Sequence, residues 1–415
     1  MAKTMYIVDG LRTPFCKMGT DFADEPAQLL GIASVKALLA KTGVSPEKID
    51  ETIFGCVGQP ADAMNIARVI AVRSGIPTTT PAYTVHRNCA SGLEAITQAY
   101  EKANAGKGDV FMVGGVENMS RYPLLYPHSM AKKLSQLARS KTIIQKIKSI
   151  CNLRIQDFTP KIALKLGLSD VLCDMNMGET AELIARENGI TREEQDMFAL
   201  NSHRKVLLGY HKLAEEIASV YCTYDNCIRS FNNTVVTTDN GPRESTMSTL
   251  ERLRPLFDRK EGTVTAGNSS QITDGACALL LMTKKGLKDT GCTPIGRIMD
   301  YSYTGCDPSR MGLGPVKAVE KLTSNSEFKL ENMDLFEINE AFAAQVLACQ
   351  KYLHVPEDKL NVNGGSIALG HPVGATGARL VLTLLKELNR QQLKSGLATL
   401  CIGGGQGGAI WLEAC

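Results

Sequence analysis

Residues 88–103 read NCASGLEAITQAYEKA, and residues 374–388 read GATGARLVLTLLKEL. Each is a turn of small residues that opens a run with apolar positions at helical spacing. Each is followed by a strand running into paired glycines, DVFMVGG over 109–115 and ATLCIGGG over 398–405. Upstream the match continues. The helical pattern LLGIASVKALLAKTG (29–43) leads through SPEKID into the strand-like ETIFGCVG, and PVKAVEKL leads through FKLENMD into LFEIN. A second helical stretch follows in both places, NIARVIAVRSG in one and EAFAAQVLACQKYL in the other. Helices and β-rich runs therefore alternate in the same order twice, which predicts a duplicated α/β architecture. One domain is expected from 1–120 plus 176–290, and the second from 291–415.

Composition agrees with more than one core. The 415 residues compare with about 150 per domain. Hydrophobic residues make up 44% and charged residues 21%, which supplies a core and carries no disorder signature. Lys+Arg 46 against Asp+Glu 43 leaves a net charge of only +3, which excludes a general electrostatic footprint for nucleic acid. Thirteen cysteines, an odd number scattered from Cys16 to Cys415, argue against a disulfide framework and for a reducing compartment. The N-terminal MAKTMYIVDGLRTP reads as a strand from Met5 to Val8 and then a turn, not as an export signal. The apolar run from Ala276 to Met282 reads as a buried strand. A soluble protein is expected, cytoplasmic or, after removal of a transit peptide, in an organellar matrix.

Residues 121–175 have no counterpart in the second half. Between Ala131 and Leu168 nine basic residues face one acidic residue, Asp157. Leu134, Leu137, Ile143, Ile144, Ile147 and Ile150 are spaced as on an amphipathic helix. Such a basic excursion reads as a solvated cap over the core, as a site for an anionic cofactor, or as a membrane-surface segment.

Four stretches carry reactive side chains, three of them where a strand turns into a helix. In His86-Arg87-Asn88-Cys89-Ala90-Ser91-Gly92, a cysteine opens a helix. The helix dipole and free N–H groups there favour a thiolate and can hold an oxyanion. In Asn363–Gly377 (NGGSIALGHPVGATG), His371 stands between glycines and is fixed by Pro372. A neutral imidazole there can take a thiol proton, and the glycine spacing matches neither a dinucleotide nor a phosphate loop. Cys401 precedes the glycine run GGGQGG, which opens the backbone around its sulfur. Asn339-Glu340-Ala341-Phe342 ends a strand at the position equivalent to Gly55, where a helix cap is the other reading. Cys222 and Cys227 are spaced as a C-x4-C pair with no second pair nearby, so no metal site is expected.

Taken together, NCASG, GTVTAGNSSQITDGA (262–276), NEAFAAQ, GGSIALGHPVGATGAR and CIGGGQGG resemble the thiolases, in this order and over essentially the whole chain. The resemblance implies the thiolase fold, two α-β-α-β-α halves in five layers sharing a buried helix layer, and a homodimer or homotetramer. It implies Cys89 as the acylated nucleophile, His371 as its base, and Cys401 as the acid/base for the α-proton of acetyl-CoA. Asn339 would position a water that forms one oxyanion hole with His371; the N–H groups of Cys89 and Gly403 would form the other. Ser270 and Arg243 are implied as coenzyme A contacts, and Leu168 and Met177 as lining for the pantetheine and acyl path. Met311 is implied in the acyl pocket, with Ala341 and Phe342 completing the substrate-binding set. No permanently bound cofactor is implied; coenzyme A and acyl-CoA are substrates.

Two features point in different directions within the family. Thiolases that form acetoacetyl-CoA typically have His-Met where this chain has Asn176-Met177. The excursion is similar to the loop of β-subunits in fatty-acid oxidation complexes, which contributes to α-subunit and membrane contact through the segment matching 131–165. Those subunits carry His at the position of Asn339. The favoured reading is degradative cleavage of 3-ketoacyl-CoA. Synthesis of acetoacetyl-CoA from two acetyl-CoA is the alternative, and a non-catalytic acyl-CoA carrier is the reading from another class. A ketoacyl synthase would be expected to have a second histidine at the place of Cys401.

Overall fold

The two runs quoted first form helices at Ser91–Asn104 and Thr376–Arg390, and these cross in the middle of the molecule. Their small residues are what let them meet. A Cβ on Gly92 would lie 2.8 Å from the Gly374 carbonyl oxygen, and one on Gly377 would run into the Leu93 backbone. The computed structural model describes residues 3–222, 234–325 and 327–415.

In the first half, β1 (Met5–Arg12), α1 (Ala27–Thr42), β2 (Glu51–Gly55), α2 (Ile66–Arg73), β3 (Ala82–Val85), α3 (Ser91–Asn104) and β4 (Val110–Glu117) follow in order. The excursion contributes α4 (His128–Arg139) and α5 (Ile143–Cys151), and the first half resumes with α6 (Met177–Glu187), α7 (Arg192–Ala214) and β5 (Thr273–Thr283). The second half repeats the scheme with β6 (Gly296–Gly305), α8 (Gly314–Asn325), β7 (Leu335–Ile338), α9 (Ala343–Leu353), α10 (Thr376–Arg390), β8 (Ser395–Ile402) and β9 (Gln406–Ala414). The strand order is β7-β8-β9-β6-β1-β5-β4-β2-β3. Pairing is parallel at β7/β8, β2/β4 and β2/β3 and antiparallel elsewhere. The halves join through a short β1/β6 contact, Met5–Ile7 against Gly296–Ile298.

Three cores account for the layering. Outer helices α1 and α2 bury Leu30, Val35, Ile66 and Ile70 against one face of the first sheet. On the other side, α8 and α9 bury Val319, Leu322 and Val346 with Phe336 and Leu397. Between them, Leu93 and Ile96 of α3 and Leu380 and Leu384 of α10 share one core with strand residues of both halves. On the buried stretch of α10 a charge needs a partner, and Arg379 finds Glu337 of β7 at 3.0 Å. This is the expected α-β-α-β-α arrangement.

Two local expectations change. The strand beginning at Met5 continues to Arg12, because Arg12 at 0% exposure is held by Asp239 (2.6 Å) and Glu216 (3.3 Å). The amphipathic pattern of the excursion is two helices, broken at 140–142, where Thr142 caps α5 in a capping box with Gln145. Its isoleucines do not reach the core: Ile143 and Ile144 are each 76% exposed. Among the described residues no helix is long and apolar enough to cross a membrane. Cys222 is buried in a short strand, and Cys227 lies outside the described residues.

Candidate active site

Cys89 sits in the turn from β3 to α3, and that turn is rigid. Asn88 takes a positive φ of 43°. The Ser91 hydroxyl accepts from the Arg87 N–H (2.9 Å) and donates to the Asn88 carbonyl (2.7 Å). Arg87 pairs with Glu94 and stacks on the ring of Tyr303, 4.1 Å from its centroid. Cys89 packs against Met119, Leu164 and Val373. Burial pushes the Cys89 thiol up; N–H donors from Gly403 and Cys89 itself offset this only in part, and Glu117 adds to it. The helix start alone was expected to favour a thiolate. Desolvation outweighs it, so attack requires a base.

The neighbouring candidate base is His371. The Thr376 hydroxyl donates to the Pro372 carbonyl (3.0 Å) and so accepts from His371 Nδ1–H (2.7 Å). This network assigns the proton to Nδ1 and leaves the Nε2 lone pair free. Burial, then the charge of Arg379, pushes His371 down to about 3, so the imidazole is neutral throughout the physiological range. Asn339 Nδ2 lies 3.5 Å from Nε2. Its orientation is fixed from behind: Asn339 Oδ1 accepts from the Ser366 hydroxyl (2.7 Å), which accepts from Arg379 Nη2 (3.0 Å). The NH2 of Asn339 is thereby turned towards His371.

Cys401, near the end of β8, is 1% exposed and packs with Met311 and Ala341, beside Met177 and Phe342. Burial, then the neighbouring Cys89 and Cys349, holds its thiol well above the ordinary range. At rest it carries its proton. The two candidate thiols lie near enough for Cys89 to raise Cys401, and Asn339 adjoins His371.

Two cavities meet here. One of about 480 Å³ is lined by Lys17, Asn176, Ser270, Phe342 and His371. The other, about 420 Å³, is lined by Cys89, Leu164, Leu172, Asp170 and Gly403. They share Met119, Leu168, Met177 and Val373. Ser270 reaches the first cavity because its N–H pairs with the Ala341 carbonyl (2.9 Å), joining the GNSS and NEAF segments. Arg243 lines neither cavity. Its N–H donates to His203 Nδ1 (3.3 Å), and its charge, after burial, lowers the pKa of Lys17.

Several participants lie outside the sequence expectations. Thr376 and Arg379 stand inside a quoted motif, at the second and fifth residues after Gly374, so the helical pattern carried a signal for them. Lys17 and Asp170 carried none. Glu117 is buried and pushed up to about 7 by burial, although the N–H groups of Val57 (3.0 Å), Gly58 (2.8 Å) and Gly374 (3.0 Å) and the Tyr122 hydroxyl (3.0 Å) donate to it. It ties the Cys89 side of the site to the loop after His371.

A duplicated α/β fold with a thiol and a neutral imidazole lining two joined cavities, and a second buried thiol and an oriented amide beside them, fits an acyl-transfer enzyme. Residues 5–285 match the thiolase N-terminal domain and residues 292–414 the thiolase C-terminal domain. A probable acetyl-CoA acyltransferase of Staphylococcus aureus (strain COL) is 42% identical over 399 residues, covering 95% of each chain. The crystal structure of the Bacillus anthracis acetyl-CoA acetyltransferase is similar with a TM-score of 0.89 at 36% identity, over 100% of this chain and 99% of that one. Human mitochondrial 3-ketoacyl-CoA thiolase in complex with CoA gives 0.88 at 34% identity, over 100% and 98%. The chain belongs to the thiolase family, whose members are acyltransferases.

Proposed function

We propose that the protein cleaves 3-ketoacyl-CoA with coenzyme A to acetyl-CoA and a shortened acyl-CoA, in the direction of fatty-acid β-oxidation and reversibly. The observation that carries the degradative reading is the second, largely apolar cavity beside Cys89, which offers room for more than an acetyl group. In this scheme Cys89 passes its proton to His371 Nε2 and attacks the 3-keto carbon. The N–H groups of Cys89 and Gly403 receive the oxyanion. The C2–C3 bond then breaks, and its electron pair becomes the enolate of acetyl-CoA. His371, now carrying Nε2–H, and a water held by Asn339 stabilise that enolate while Cys401 protonates its carbon. Coenzyme A then gives its thiol proton to Cys401 and takes the acyl group from Cys89, whose leaving sulfur recovers the proton from His371 Nε2, so both thiols and the neutral imidazole are restored. Ser270, Arg243 and Lys17 bind the coenzyme, Leu168 and Met177 guide pantetheine, and Met311, Ala341 and Phe342 surround the reacting carbons.

A series of 3-ketoacyl-CoA substrates from four to sixteen carbons tests this. The value of kcat/KM is expected to rise as methylenes fill the apolar cavity, by up to about fourfold each, since burying one contributes about 0.8 kcal/mol. A maximum at four carbons would overturn the degradative reading in favour of acetoacetyl-CoA synthesis.

We propose a cytoplasmic homodimer or homotetramer whose segment 131–165 docks on a membrane surface or on the α-subunit of an oxidation complex. The support is the exposed face of α5, where Ile143, Ile144, Ile147 and Ile150 stand among Lys141, Lys146 and Lys148. Wild-type protein is expected to co-sediment with phosphatidylglycerol vesicles at low salt, and a variant with those three lysines changed to glutamate is not. Both should keep the same kcat. Failure of the wild type to bind either vesicles or an α-subunit would leave the segment as a cap.

A further inference from the structure

One peptide group beside Cys89 is gripped at both ends by side chains that the reaction scheme leaves unused. The Gly403 carbonyl accepts from Asn88 Nδ2 at 2.7 Å. The Gly404 N–H, on the other end of the same peptide plane, donates to Asp170 Oδ2 at 2.9 Å. Asp170 is 7% exposed and stands in the wall of the cavity that holds Cys89. Its other oxygen accepts from the Leu172 N–H at 2.8 Å, which fixes the plane of the carboxylate.

The turn needs such a grip. Gly403, Gly404 and Gly405 follow one another, with Gly404 at φ 88° and Gly405 at φ 73°. Three side-chain-free residues cost little to rotate. Yet the preceding peptide carries the Gly403 N–H, which lies near enough to the Cys89 sulfur to favour its anion. Holding the 403–404 peptide holds the Gly403 Cα from which that N–H projects, so the two peptides are positioned together. The carboxylate suits the task because it accepts two N–H bonds with no hydrogen of its own, and charge-assisted bonds of this kind are about twice as strong as neutral ones. An amide at the same place would turn a donor towards one of the two N–H groups.

We infer that Asp170 is a positioning residue for thiolysis: through the Gly403–Gly404 peptide it keeps the Gly403 N–H aimed at Cys89 and at the oxyanion formed there. This rests on the proposed roles of Cys89 and Gly403. Asp170 belongs to the hairpin of Ser169–Asp170 and Met175–Asn176, so the segment that lines the cavity also sets the oxyanion turn.

The test uses Asp170→Ala, Asp170→Asn, Asn88→Gly and the double variant Asn88→Gly/Asp170→Ala. Steady-state cleavage of acetoacetyl-CoA is measured alongside the pH dependence of Cys89 alkylation by iodoacetamide without substrate, followed by peptide mass. Removing an oxyanion donor outright costs 10²–10³ in kcat, so misaligning one through Asp170→Ala is expected to cost about 10- to 100-fold, with KM for coenzyme A within about twofold. The alkylation profile should move to higher pH, because the thiolate loses a donor; Asp170→Asn should fall between. Both substitutions act on one peptide, so the double variant should lose less than the product of the single losses. An unchanged kcat and alkylation profile in folded Asp170→Ala overturns the inference. If that variant does not fold, an unshifted profile in both Asn88→Gly and Asp170→Asn overturns it equally. Wild-type protein that fails to cleave any 3-ketoacyl-CoA would instead sink the proposed function, so the two failures are distinct.

Discussion

Serine in place of Cys89 is expected to lower 3-ketoacyl-CoA cleavage by about 10⁴-fold or more while leaving the thermal midpoint and circular dichroism unchanged. The reason lies in the match between nucleophile and base. His371 is pushed down to about 3 by its burial and by Arg379, which makes it a weak proton acceptor. It can relieve a thiol as sulfur attacks, since the sulfur is intrinsically nucleophilic and Gly403 and Cys89 N–H groups already favour its anion. A serine hydroxyl is far less acidic, and the same imidazole cannot draw off its proton. The fold has no stake in the exchange. Oxygen is smaller than sulfur, and residue 89 lies at the margin of the central core and of the small cluster of Met119, Leu164 and Val373. Mass spectrometry should find no acyl group on residue 89 after incubation with acetyl-CoA. Turnover at the wild-type rate would remove Cys89 from the mechanism altogether.

What the sequence made legible, and what it left out, follows from the range of each interaction. The duplication is visible because every helix and strand is set by its own neighbours, and Gly92 and Gly377 mark in each half where the central helices cross. The four candidate side chains stand out in the sequence for the same reason, each lying in a short motif. One strand of the repeat was not. Where the first half has β3, the second has a single parallel bridge from Phe336 to Leu360. There the Asn361 side chain, on a residue with φ 44°, takes a strand's place by exchanging two hydrogen bonds of 2.9 Å with Ile338. No periodicity announces such a substitution. Asp170 was equally hidden, because the N–H it holds is 234 residues away. Nor could the charge state of Cys89 be read from the helix start beside it. Local sequence supplied the dipole; desolvation came from the distant segments that close over the thiol.

Serine in place of Cys401 should separate the two halves of the reaction. Acyl transfer from acetyl-CoA to Cys89 is expected to remain measurable, while cleavage and formation of the carbon–carbon bond fall by about 10³-fold, within the 10²–10⁴ typical of general acid–base catalysis. Cys401 lies in an apolar nest of Met311, Ala341, Met177 and Phe342, and its thiol is held well above the ordinary range. Its proton is therefore in place at rest, ready for the enolate carbon that leaves when the C2–C3 bond breaks. The reverse reaction needs the opposite state, an anion at Cys401 strong enough to take an α-proton from acetyl-CoA. Burial that makes the anion costly also makes it a strong base once formed. A hydroxyl in this nest keeps the shape but raises that cost much further. Two measurements check the separation: acetyl-Cys89 formation by mass spectrometry, and loss of deuterium from deuterated acetyl-CoA. The first should persist in Cys401→Ser and the second should disappear. Equal loss of both would mean that Cys401 serves the acylation step as well, and the division of labour between the two thiols would fail with it.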